Sequence, residues 1–261
     1  MRLEPTDVLH AANQPTGSPL ARGPHVLLAG ATGALGEAMV TRLASSSAVR
    51  LLSVLVREPM VMSLRRVKEL HLIGDEPQHW PVKPADDGWI LMDPPRLFHG
   101  REKAMLAVQP AELRPMAEWM RRCGVRRLVV VLPHQQGRLP EAIKRGLATL
   151  DEQAVAAMGF DTLILLRSAQ PGPRAAAAGS LPARLAASML GVLHYLVPTN
   201  QKPVRADGVA RVAACALEFA PPGIHVAAPE LVWAAASAPD PEPLLKVWLH
   251  RTGEPGDNRL P

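Results

Sequence analysis

The chain has 261 residues, 48% of them hydrophobic and 20% charged, with mean hydropathy near zero. That is enough to bury one α/β core with a small satellite lobe, and it excludes wholesale disorder. The net charge of +5 is spread along the sequence, apart from Arg121, Arg122, Arg126 and Arg127, and aromatic residues are only 3%, which argues against a nucleic-acid surface.

No stretch approaches 18 uninterrupted apolar residues, so no membrane-spanning helix is expected. The opening 22 residues lack an apolar secretory core. Cys123 and Cys215 are too few for a zinc ribbon or a disulfide framework, and reduced cytoplasmic thiols are the expectation. The nine histidines lack metal-ligand spacing, so no metal site is expected.

Residues 1–22 read as a tail broken by Pro5, Pro15, Gly17 and Pro19. From there short apolar runs alternate with helical stretches. Strands are expected at 25–29, 49–56, 70–73, 89–92, 127–132 and 162–166, with helices at 35–44, 110–123 and 141–158. Alternation of this kind means parallel pairing, hence a doubly wound α/β sheet with helices on both faces. Beyond the Pro/Gly/Ala-rich stretch 171–179, a helix is expected over 181–196 and another over 207–219, capped by Asp207. A short strand over 224–227 precedes a proline-rich tail over 238–261 with one short helix. The expected division is a tail at 1–22, a body at 23–236 whose last part (168–236) forms a smaller lobe, and a second tail at 237–261.

The most informative segment joins the first strand to the first helix, where Gly30-Ala-Thr-Gly-Ala-Leu-Gly36 stands. Gly30 permits the tight turn, Gly33 lets the backbone approach a diphosphate, and Gly36 lets the helix sit close to the sheet. The amides of Gly33, Ala34 and Leu35 then have no helical partner and point at the phosphates, with the Thr32 hydroxyl as a further donor. Arg57 follows the second strand, 21 residues past Gly36, where an arginine accommodates a ribose 2′-phosphate; NADP(H) is therefore favoured over NAD(H). Asp75, behind the third strand, is placed to reach an adenine amino group or to cap the next turn.

These segments resemble the atypical short-chain dehydrogenase/reductase group, the NmrA-like NAD(P)-binding proteins. The resemblance is carried by the glycine turn at 30–36, Val-Leu-Val-Arg at 54–57 and Gly-Asp at 74–75. It continues through 123–131, 159–167, Pro-Val-Arg-Ala-Asp-Gly-Val-Ala-Arg at 203–211 and the strand at 223–230. It implies a Rossmann-type fold that binds a dinucleotide.

The active members' serine and Tyr-x-x-x-Lys set have no counterpart. The fifth strand runs into Leu132-Pro133-His134, the next helix holds Lys144 and no tyrosine, and the chain's one tyrosine, Tyr195, lacks a lysine four places on. Ordinary dehydrogenase turnover is therefore not expected. A substitute acid–base pair of His134 and Lys144 is the alternative, against the plainer reading of His134 as a solvated loop residue. The function expected is dinucleotide binding by a sensor or scaffold, with the 181–196 helix as a candidate contact to a protein partner or a second copy.

Overall fold

The computed structural model describes residues 23–96, 100–134, 147, 149–169 and 204–252. Seven strands form one parallel sheet: β1 His25–Ala29, β2 Leu51–Val56, β3 Val67–His71, β4 Asp87–Leu91, β5 Arg127–His134, β6 Thr162–Ala169 and β7 Gly223–Ala227. Their order is β3-β2-β1-β4-β5-β6-β7. The chain leaves β1 toward β2 and β3, then returns to lay β4 on the other side of β1. A crevice therefore opens at the carboxyl ends of β1 and β4, where open α/β sheets place ligands. The strand order establishes the doubly wound α/β fold expected from the sequence.

Alternate residues of the central strands feed two cores. Val26, Leu28 and Trp89 pack beneath α1 (Gly33–Ser45), α4 (Ala206–Phe219) and α5 (Pro229–Ser237). Leu27, Ala29 and Ile90 pack beneath α2 (Leu113–Arg122) and α3 (Leu150–Ala156). Both faces are covered, so the strands are apolar throughout. Helix α2 shows how directly spacing maps onto packing: Leu113, Met116, Ala117 and Met120 are all buried.

Several boundaries differ from expectation. β3 starts three residues early because its register is set by β2, with Leu52 opposite Val67 and Val56 opposite His71; Ile73, expected inside the strand, is 81% exposed. β5 runs on through Pro133, paired with Ser168. The Val131 carbonyl accepts from Met92 at the end of β4, so Pro133, two residues on, turns its missing N–H toward a side where β4 has ended and loses no ladder bond. Asp207 does not cap α4: Arg205 holds the cap position, and Asp207 sits in the first turn with a 3.4 Å contact to Arg42. Helix α6 (Glu242–Thr252) buries Leu245 and Leu249, so the packed body continues past residue 236 through much of the expected C-terminal tail. The expected helix at 181–196 and most of that at 141–158 lie outside the described residues.

Candidate functional site

The turn at the head of α1 is built as its glycines require. Gly30 and Gly33 take φ of +79° and +68°, the region that penalises a Cβ. A Cβ on Gly36 would lie 2.2 Å from the Ala31 carbonyl carbon, so the helix start and the strand end touch backbone to backbone. Thr32 is fully buried at the N-cap position, and its hydroxyl donates to the Asp93 carbonyl at 2.5 Å.

The first-turn amides, expected to be bare, are not. The Gly33 N–H donates to Glu102 Oε2 at 3.0 Å, and the Leu35 N–H donates to Asp93 Oδ2 at 2.9 Å. Both carboxylates come from the connection after β4. Asp93 lies just beyond the strand, directly over the turn: a Cβ on Gly33 would come within 2.2 Å of Asp93 Oδ2. Glu102 is only 6% exposed. It accepts from the Arg96 backbone N–H at 2.7 Å and from Arg96 Nε at 2.6 Å, and Arg96 also reaches Glu37 on α1 at 2.9 Å.

The two acids differ electrostatically. Burial pushes the Asp93 carboxyl above the ordinary carboxylate range, outweighing the Leu35 N–H that favours its charge. Burial acts on Glu102 in the same direction, but the Arg96 and Gly33 N–H groups and the Arg96 guanidinium together outweigh it and hold Glu102 below that range. Glu102 is thus the anion that the head of α1 holds.

The same connection closes the neighbouring crevice. Residues 104–106 run across the ends of β2 and β1: Ala104 accepts from the Arg57 amide at 2.7 Å, Leu106 donates to Leu55 at 3.1 Å and accepts from Gly30 at 3.1 Å, and Met105 bridges antiparallel to Val56. Leu106 is 1% exposed. Beside the turn lies a hollow of about 140 Å³, bounded among the described residues by Leu35, Asp93, Val131, Ser168 and Val209. Small-molecule sites run to roughly 300–1,000 Å³. The donor set suits a diphosphate, but Glu102 and Asp93 already occupy the Gly33 and Leu35 amides.

Arg57 and Asp75 meet each other. Arg57 Nη1 donates to Asp75 Oδ1 at 2.7 Å and to the Gly74 carbonyl at 2.9 Å, with the guanidinium 5.7 Å from the centre of the Trp80 ring. The backbone of His134 ends β5 opposite Ala169, while its side chain and Lys144 lie outside the described residues. The four clustered arginines all have internal acceptors: Arg121 the Met158 and Val125 carbonyls, Arg122 that of Pro77, Arg126 Asp161 and Arg127 Asp87.

Sequence reasoning passed over Asp93, Arg96 and Glu102. One signal was available: Asp93 follows the apolar run Trp89–Met92, so it had to emerge at the ligand end of the sheet. A larger groove of about 1290 Å³ lies between α1 and α4, floored by Val26 and Trp89; it reaches Ala34 of the turn.

No family model and no curated protein sequence matches the chain. Among solved structures it is similar to a Rossmann-fold NAD(P)-binding family protein from Shigella flexneri (18% identity, covering 56% of this chain and 67% of that one, TM-score 0.36). It is also similar to the Bordetella bronchiseptica enzyme WbmG in complex with NAD (16% identity, 95% and 85% coverage, TM-score 0.44). A UDP-glucuronic acid 4-epimerase variant from Bacillus cereus, solved with NAD and a fluorinated sugar acid nucleotide, is likewise similar (12% identity, 83% and 84% coverage, TM-score 0.44). These neighbours are NAD(P)-binding and epimerase-type Rossmann proteins; at such identities they assign no ligand or reaction to this chain. No helix among the described residues is long and apolar enough to cross a membrane.

Proposed function

We propose that this chain is an NAD(P)(H)-binding protein of the atypical, NmrA-like short-chain dehydrogenase/reductase type that works without ordinary dehydrogenase turnover, as a cytoplasmic dinucleotide-responsive sensor or scaffold. One observation carries the reading: a glycine turn of the right form, at the switch point of the sheet, already presents main-chain N–H groups to anionic oxygen. Gly30, Thr32, Gly33, Ala34, Leu35 and Gly36 would hold the diphosphate once the covering carboxylates withdraw. The bound group would supply a nicotinamide; Ser168 on β6 borders the hollow beside the turn, and the one tyrosine of the sequence, Tyr195, lies outside the described residues.

NADP(H) is the preferred form. Asp75 is 95% exposed, so its bond to Arg57 is worth about 0–1 kcal/mol and is readily exchanged for a 2′-phosphate. Titration with NADPH and NADH, followed by calorimetry, tests both points. Saturable binding of NADPH is expected, with Arg57→Ala weakening NADPH at least tenfold more than NADH. Absence of heat with either nucleotide, under any latch variant described below, refutes the reading; equal losses refute the role of Arg57. An oxidoreductase using His134 and Lys144 would instead consume NADPH with carbonyl substrates and lose that activity on His134→Ala.

A further inference from the structure

Resting on the dinucleotide reading, we infer that Asp93, Arg96 and Glu102 form an autoinhibitory latch, an internal anion that occupies the α1 amides in place of a nucleotide diphosphate. Three features distinguish it from an ordinary loop contact. The carboxylates take the same donors a diphosphate needs, Gly33 N–H and Leu35 N–H, so seating of the latch and of the ligand exclude each other. The latch is strapped from both sides: Arg96 binds Glu102 within the connection and Glu37 on α1, so the loop is clamped to the helix it caps. It is continuous with residues 104–106, which pair with the ends of β1 and β2. An adenosine half lying on those strand ends would have to displace residues 104–106 as well.

The surroundings act differently on the two acids that sit together. Glu102, ionised and held by Arg96, is the anion surrogate. Asp93, whose carboxyl pKa burial raises, covers the turn through its bond to the Leu35 N–H. A diphosphate arriving with its own negative charge would meet Glu102, Asp93 and Glu37 on one side and Arg96 on the other. Opening thus requires Arg96 to exchange carboxylate for phosphate, which a guanidinium does without loss of geometry.

The test is the affinity for NADPH, read by quenching of tryptophan fluorescence, in wild type, in Glu102→Gln with Asp93→Asn, and in Arg96→Gln. Amide hydrogen exchange at Gly33 and Leu35 is measured on the same proteins without nucleotide. If the closed form holds 90–99% of the population, neutralising the latch raises affinity about 10- to 100-fold, and both amides exchange faster in the unliganded variants. Arg96→Gln leaves the amide-bound carboxylates intact and guards against misfolding of the double variant; it is expected to speed exchange at Gly33. Equal NADPH affinity in wild type and both variants overturns the latch while leaving dinucleotide binding in place. Absence of binding in all three overturns both readings, and slow exchange at Gly33 unchanged by the substitutions overturns the claim that these carboxylates guard the amide.

Discussion

Replacing Gly33 with alanine tests how Asp93 sits over the turn. An alanine held at φ +68° costs about 1–2 kcal/mol. Its Cβ would lie 2.2 Å from Asp93 Oδ2 and 2.5 Å from Cγ, so Asp93 must abandon the Leu35 amide. Losing that charge-assisted bond costs a further ~1.5–3 kcal/mol. The sum is about 2.5–5 kcal/mol, which for a chain of this size lowers Tm by on the order of 10 °C. The larger steric part comes from Asp93, so Gly33→Ala in an Asp93→Ala background should cost the backbone strain plus what the 2.9 Å approach to the Pro94 carbonyl oxygen adds. Urea denaturation of the four proteins of this cycle should give a coupling of at least about 1 kcal/mol between the two sites. Strict additivity would mean that Asp93 is not seated over Gly33, and the covered turn would have to be abandoned.

Other consequences follow from the ion pairs and their titration. Asp87 is nearly buried and gripped by Arg127 at 2.6 Å, yet burial still raises its carboxyl pKa. Arg127→Ala should cost about 2 kcal/mol at neutral pH. Because a raised native pKa penalises the ionised form, that loss should shrink as pH falls through the folded pKa toward the unfolded value; a loss independent of pH would exclude Asp87 as its cause. Acid should act on Glu102 in the opposite sense. Its depressed native pKa contributes stability above the ordinary glutamate value that disappears as pH falls through the folded pKa, so Glu102→Gln should flatten the acid limb of a stability–pH curve. Arg167 and Glu152, 3% and 6% exposed, pair at 2.7 Å between β6 and α3. Arg167→Met alone should cost about 3–5 kcal/mol, and adding Glu152→Leu should recover much of it in chemical denaturation, because the lone carboxylate is then removed as well.

Local signals revealed most of the architecture before any coordinates. The strand at His25–Ala29, the glycine turn and α1 follow from an apolar run meeting Gly30, Gly33 and Gly36, and α2 follows from a 3.6-residue stripe. What escaped depends on partners distant in sequence. β3 is placed by its register on β2, not by its own apolar residues, so Val67-Lys-Glu-Leu-His71 is strand while Ile73 is exposed. Helix α6 falls where one short helix is expected within a proline-rich tail, but that Leu245 and Leu249 join the core was not legible. At the site, the amides of the turn were legible and their acceptor was not, since Glu102 meets Gly33 across 69 residues and no periodicity encodes such a contact. Arg57 and Asp75 were each readable as ligands, whereas their mutual bond across 18 residues was not.

The central claim is that the α1 amides form a diphosphate cradle which the chain's own acids keep shut. Its most direct test is a crystal structure of the Glu102→Gln, Asp93→Asn protein grown with NADPH. The account predicts diphosphate oxygens within hydrogen-bond reach, about 3 Å, of the Gly33 and Leu35 nitrogens, with residues 93–106 withdrawn from the ends of β1 and β2. A nucleotide bound elsewhere, or a turn still covered by residues 93 and 102 at saturating NADPH, would contradict it.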